Sequence, residues 1–280
     1  MKIIIHGGFF SESSQSNEIK IKKQESLKKI VLKAYDYLKS NNSLDTVIYA
    51  VKLLENDPLF NAGLGSQIQR DGEIRLSASL MDSKTNKFSG VINVKDIKNP
   101  ILLAKKLRGE EDNVLSDEGA NSYAKKNGFL HYNSETKERR NDYNLNLKST
   151  GTGTVGCVAL DSERVIAAAT STGGKGFELP GRVSDSATVA GNYANKHCGV
   201  SCTGVGEDIV SAALASKIVT RVSDGMPLKK SFEKSFKELE EFDGFAGAIA
   251  IDSTGEIYYD ESHPKIVFSS FDGESLDVFD

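Results

Sequence analysis

Apolar positions along this chain switch repeatedly between the strand period and the helix period. Lys2 to Ile5 reads as a short buried strand, ended by His6, Gly7 and Gly8, where paired glycines permit a close backbone approach. From Leu27 the positions Ile30, Val31, Ala34, Tyr35 and Leu38 recur at three and four, which predicts an amphipathic helix. Ser43 reads as the cap of a second helix carried by Thr46 to Leu54, and Pro58 forbids its continuation. Residues 59–82 begin with a glycine-rich loop, turn at Asp71-Gly72 and alternate through Ile74, Leu76, Ala78 and Leu80, the pattern of a hairpin. Asn99-Pro100 opens another helix, and a further one spans about Ser116 to Lys126 with Gly128 ending it.

Residues 131–150, HYNSETKERRNDYNLNLKST, break the pattern. Few apolar side chains and many charges predict a flexible linker. Beyond it, Val155 to Leu160 and Val165 to Ala169 read as adjacent strands joined at 161–164. A short helix is expected near Asp185 to Asn195, a buried strand at Gly199 to Cys202, and helices at about Glu207 to Ser223 and Leu228 to Glu241. Ala246 to Ile251 and Glu256 to Tyr259 form a hairpin around Ser253-Thr254-Gly255. Strands clustered with paired helices predict an α+β sandwich rather than a strictly alternating α/β fold.

Composition narrows the function classes. At 280 residues with 39% hydrophobic content the chain can bury a large core as a single domain. A formal charge of -4 offers no general attraction for nucleic acid or an anionic membrane, and suits a small neutral or zwitterionic substrate. Cys157, Cys198 and Cys202 read as reduced thiols, and no apolar run reaches transmembrane length, so a cytoplasmic protein is expected. Cys198 and Cys202 with His197 lack paired metal-ligand spacing.

The stretch GTGTVGCVALD, residues 151–161, carries the chemistry. Its glycines satisfy GxGxxG, the dinucleotide fingerprint, but that fingerprint must follow a strand and open a helix. This one follows a polar segment and opens a strand. Three threonines, Thr150, Thr152 and Thr154, are then candidates for another role. A threonine hydroxyl is a poor nucleophile without a base, and no histidine is near in sequence. A free α-amino group, with an ordinary pKa of about 7.7 to 8.0, can serve as that base once the preceding peptide bond is broken. Gly153 before Thr154 suits such a break, because glycine tolerates strained geometry and offers little steric obstruction.

GTVGCVALD, AAATSTGG, LPGRVSDS and CTGVGE, in that order, with HGG and PLFNAGLGS before them, make the chain resemble the plant-type L-asparaginase and isoaspartyl peptidase family of N-terminal nucleophile hydrolases. The resemblance implies a four-layer αββα sandwich and self-cleavage into residues 1–153 and 154–280, with two such heterodimers assembled. It implies hydrolysis of the β-amide of L-asparagine or of β-aspartyl dipeptides, and it requires no cofactor. Thr154 falls on the family's nucleophile, Thr172 on a second threonine that supports it, and Thr203 and Gly204 on the oxyanion hole. Asn61 matches a position near the nucleophile's amine. Arg182 and Asp185 match the pair that anchors the substrate's carboxylate and ammonium, and Gly206 leaves room beside it. The carbonyls of Leu54, Glu55, Asp57, Phe60, Ala62 and Leu64 correspond to a loop that wraps a structural sodium ion in relatives.

The chain also departs from the family pattern. Ser184 stands where relatives carry glycine, a change that would constrict the anchor if that position needed a positive φ. Ser77 replaces a common aspartate, and FFSES follows HGG in place of small residues. Glycosylasparaginase, threonine endopeptidase and a catalytically impaired aspartate-binding relative are the alternatives.

Overall fold

The structure is a computed structural model that describes residues 1–10, 16–146, 153–263 and 265–280. Its strands are β1 (Lys2–Phe9), β2 (Leu76–Asp82), β3 (Phe88–Val94), β4 (Val114–Ser116), β5 (Val155–Leu160), β6 (Ile166–Thr172), β7 (Asn192–Ala194), β8 (Cys198–Gly204), β9 (Ala246–Asp252), β10 (Ile257–Glu261), β11 (Ile266–Phe271) and β12 (Leu276–Val278). Its helices are α1 (Asn17–Leu38), α2 (Ser43–Glu55), α3 (Pro100–Leu107), α4 (Asp117–Lys126), α5 (Lys137–Asn144), α6 (Gly206–Ala212), α7 (Leu214–Ser223) and α8 (Leu228–Glu240).

Two sheets result, one in the order β12-β11-β1-β5-β6-β2-β3-β4 and the other β10-β9-β8-β7. Helices α1, α2 and α3 pack on the larger sheet, α7 and α8 on the smaller, and β5 and β6 lie against β8. This arrangement explains why β5 and β6 are buried at every residue, since one face meets α2 and the other meets β8. The mixed α+β architecture with two sheets agrees with the expectation from sequence.

Several elements differ from that expectation for local reasons. Helix α1 begins at Asn17, where the Ser16 side chain accepts from Ile19 N, because its first turns are largely solvent-facing and show no apolar stripe. Ser43 is the first helical residue of α2, and the cap is Asn42, whose Oδ1 takes Asp45 N at 2.8 Å. The Asp71-Gly72 turn closes no hairpin, since β2 pairs with β3 and β6. The expected helix near Asp185 to Asn195 is a 3-10 turn at Asp185–Ala187 followed by β7. The helix expected over 207–223 is broken at Ala213, which has φ +49°, and Ala215 N there bonds to Ala190 O at 2.8 Å.

Part of the segment expected as a linker is ordered. Helix α5 is capped by Thr136 and held by side chains that apolar periodicity does not count. Tyr143 stacks on Phe177 at 5.2 Å, Arg139 Nε donates to Gly65 O at 2.8 Å, and Arg140 pairs with Glu135. Residues 147–150 lie outside the described residues, as do Gly151, Thr152 and the SES of the stretch after HGG.

Candidate active site

Thr154 sits one residue before β5, and Thr172 ends β6 beside it; both are buried. Their Oγ1 atoms are 3.0 Å apart. The bonded pairs Val155 with Ser171 and Gly156 with Thr170 fix the two strands in a register that brings the two threonines together. Gly174 N also donates to Thr172 Oγ1 at 3.2 Å, so that this oxygen accepts from both Thr154 Oγ1 and Gly174 N.

Asn61 locks the residue before Thr154. Its N–H donates to Gly153 O at 3.2 Å, its carbonyl accepts from Gly173 N at 3.0 Å, and its Nδ2 donates to Gly174 O at 2.5 Å. Close packing requires glycine at 153: a Cβ would lie 2.5 Å from Asn61 Cβ.

Contact between the sheets extends the site to β8. A Cβ on Gly199 would lie 3.0 Å from Val158 Cγ1, and one on Gly156 would lie 2.0 Å from Ser201 Oγ. Thr203 lies two residues beyond Ser201 on β8, and Thr154 two residues before Gly156. The Thr203 Oγ1 atom is buried with no hydrogen-bond partner among the described residues. Gly204 follows at φ +142°, where a Cβ would strike Phe245 O at 2.4 Å. A buried hydroxyl without a partner beside a backbone N–H is the kind of donor pair that stabilises an oxyanion.

Beneath this pair lies a buried polar floor. His6 Nε2 meets Ser201 Oγ at 2.9 Å, and Ser201 Oγ meets Thr170 Oγ1 at 2.6 Å. Burial drives the His6 imidazole down to about 3, against a smaller opposing contribution from the Thr154 backbone, so the ring is neutral at ordinary pH.

Arg182, Asp185 and Gly206 converge. A Cβ on Gly206 would lie 2.6 Å from Arg182 Nη2 and 2.9 Å from Asp185 Oδ1. Asp185 is buried and its Oδ2 has no partner among the described residues. Desolvation raises its carboxyl to about 7, with the Arg182 charge opposing. Such a group gains most from a cation delivered into the site.

Ser184 has φ -85° and ψ 167°, extended backbone open to any residue, so its replacement of glycine distorts nothing. Ser77 lies opposite Thr172 in the sheet, and its Oγ accepts from Asn93 N at 3.1 Å where β2 and β3 slip register. The three cysteines are free and buried, with burial pushing their thiols up; no group of three or more His, Cys, Asp or Glu that could hold a metal occurs among the described residues. No helix among them is long and apolar enough to cross a membrane.

The loop after α2 folds back on the helix end. Leu54 O takes Asp57 N at 3.1 Å, Glu55 O takes Leu64 N at 2.8 Å, and Asp57 O takes Phe60 N at 3.2 Å. Backbone carbonyls are hard oxygen donors and a helix C-terminus adds partial negative charge, the chemistry that a hard cation such as sodium takes.

Two carboxylates near the site had no assigned role from sequence. Glu207, the last residue of CTGVGE, receives Arg182 Nε at 3.0 Å and Nη2 at 2.9 Å on its two oxygens. Desolvation pushes its pKa up, but bonds from Arg182 and Lys175 outweigh that and hold it at about 2. Glu55 is fully buried; its Oε1 accepts from Ser171 Oγ at 2.8 Å and Ile101 N at 3.0 Å, next to the strand end that carries Thr172. Burial raises it to about 8, with those hydrogen bonds opposing. The adjacency of Glu207 to the TGVG motif was a usable signal, whereas nothing local marks Glu55.

A family profile described as asparaginase matches residues 1–278. The chain belongs to the asparaginase family. It is 43% identical over 294 residues to an isoaspartyl peptidase/L-asparaginase of Synechocystis sp., covering 98% of this chain and 89% of that relative. It is 37% identical to an isoaspartyl peptidase of Escherichia coli, covering 91% of this chain and 88% of that relative. A plant-type L-asparaginase of Pyrococcus furiosus is 35% identical, with 91% of each chain covered. With 91% or more of this chain aligned in all three relatives, family membership spans the whole site rather than one motif.

Proposed function

We propose that this member of the asparaginase family is a self-cleaving hydrolase of the N-terminal nucleophile type, built as a four-layer αββα sandwich. It releases L-aspartate from L-asparagine and β-aspartyl dipeptides. The observation that carries the reading is the buried Thr154–Thr172 hydroxyl pair at 3.0 Å, immediately after the glycine that Asn61 holds. The relatives named isoaspartyl peptidase and L-asparaginase supply the substrate class.

In the activating step, Thr154 Oγ1 attacks the Gly153 carbonyl carbon, the Gly153–Thr154 C–N bond breaks, and the resulting ester is hydrolysed by water. Thr154 then carries a free α-amine. In turnover that amine takes the Oγ1 proton as the oxygen attacks the substrate's β-carbonyl carbon, and Thr172 donates a hydrogen bond to Oγ1. The developing oxyanion is held by Thr203 Oγ1 and Gly204 N–H. The proton passes to the leaving group, which departs as ammonia or an amino acid, and water hydrolyses the aspartyl ester on Thr154. Arg182 reads the α-carboxylate, and Asp185, which lacks a partner for Oδ2 among the described residues, reads the α-ammonium.

The carbonyls of Leu54, Glu55, Asp57, Phe60, Ala62 and Leu64 would hold a structural sodium ion that stiffens the loop carrying Asn61. Two cleaved heterodimers assemble. Side-by-side assays of asparagine and β-aspartyl-leucine test the reading, with aspartate release from both expected. Release from neither by correctly cleaved protein contradicts it.

A further inference from the structure

The clamp around Arg182 carries a cation and an anion, Lys175 and Glu207, beyond the Arg182 and Asp185 that read a zwitterion. Arg182 gives two N–H groups to the two oxygens of Glu207, so that pair alone is neutral and its guanidinium fork already faces a carboxylate. Lys175 Nζ approaches the same carboxylate at 2.9 Å. Glu207 is held ionised by these bonds. With Asp185 ionised to take an ammonium, Arg182, Lys175, Glu207 and Asp185 balance, and without Lys175 the same clamp would carry one net negative charge. Lys175 reaches the clamp from the turn that follows Thr172, and Glu178 Oε1 accepts its backbone N–H at 3.2 Å. One side chain thus links the strand of the hydroxyl pair to the substrate anchor.

Resting on the function proposed above, we propose that Lys175 is a specificity-determining residue that offsets the Glu207 carboxylate, keeps Arg182 available to a second carboxylate, and thereby selects substrates with a free α-carboxylate. A clamp with one excess negative charge repels an incoming carboxylate, whereas one balanced by Lys175 lets the Arg182 guanidinium take it. The two cations divide the work: the planar Arg182 fork fixes geometry, and the Lys175 ammonium supplies a point charge. As the substrate's carboxylate claims part of the guanidinium, Lys175 keeps Glu207 neutralised. Salt screening weakens such attraction at this half-exposed rim.

The test uses Lys175→Gln, Lys175→Met as a second neutral replacement, and Lys175→Arg, each verified by mass to have split before Thr154. Both neutral variants are expected to raise KM for asparagine ~3- to 5-fold, within the range of an exposed ion pair, with kcat altered less than twofold. They lose most of the salt dependence of KM, and Lys175→Arg restores it. L-aspartic acid diamide, which lacks the α-carboxylate, competes with asparagine equally well in wild type and in both neutral variants. An unchanged KM for asparagine, or an equal loss for the diamide, overturns the role of Lys175. Cleaved wild type that hydrolyses neither asparagine nor β-aspartyl-leucine overturns the function itself instead.

Discussion

The hydroxyl oxygens of Thr154 and Thr172 lie 3.0 Å apart at adjoining buried strand ends. Thr172 Oγ1 accepts both the Thr154 hydroxyl and the Gly174 N–H, and its own hydrogen becomes a donor to Thr154 Oγ1 once that oxygen gives up its proton. Thr172→Val keeps the shape and removes that donor. Autocleavage and turnover are expected to fall at least ~100-fold with little change in KM, while Thr172→Ser retains most activity. Gel-resolved cleavage and steady-state kinetics check both.

Asp185 sets a second expectation. Burial raises its carboxyl to about 7, and only the carboxylate can take the substrate's ammonium. L-aspartate binding to cleaved protein should therefore weaken as pH falls through 7. The stability term has the matching sign: a raised folded pKa stabilises the protein below the ordinary carboxylate range and is lost as pH rises through 7. L-aspartate should accordingly raise the melting temperature more at pH 8 than at pH 6. Calorimetry and melting curves measure the two effects, and Asp185→Asn should flatten both.

The two glycines that follow Thr203 separate geometry from packing. At Gly206 an added Cβ meets the far ends of Arg182 and Asp185, which can shift, so Gly206→Ala should raise KM with the fold intact. At Gly204 the φ is +142° and the obstacle is the backbone of Phe245, so Gly204→Ala should lower the melting temperature and slow cleavage. Melting curves beside kinetics for the two variants distinguish the cases.

Much of this site was readable in the chain because its chemistry sits in short contiguous motifs. GTVG, STGG, GRVSD and CTGVGE place Thr154, Thr172, Arg182, Asp185, Thr203 and Gly204, and the structure brings Thr154 to Thr172 and Arg182 to Asp185. What was not readable depends on the fold. Glu207 meets Arg182 only because α6 starts under the 3-10 turn. Helix α5 takes its order from one ring stack and its arginines, which apolar periodicity does not register. Strand β11 was missed because its interior serines, Ser269 and Ser270, are buried polar residues that interrupt the apolar run.

Ser184 was the departure that most threatened the anchor from sequence alone, yet its extended backbone accommodates a side chain without strain. Ser184→Gly is therefore expected to change KM for asparagine less than twofold, and a direct comparison of the two proteins decides it.

The central claim is that Thr154 becomes a chain terminus. Intact-mass spectrometry of aged purified protein tests it most directly, alongside Thr154→Ala. Wild type should resolve into residues 1–153 and a fragment beginning TVGCVALD, while Thr154→Ala stays whole. A fragment starting elsewhere, or cleavage at the same bond in Thr154→Ala, would contradict the account.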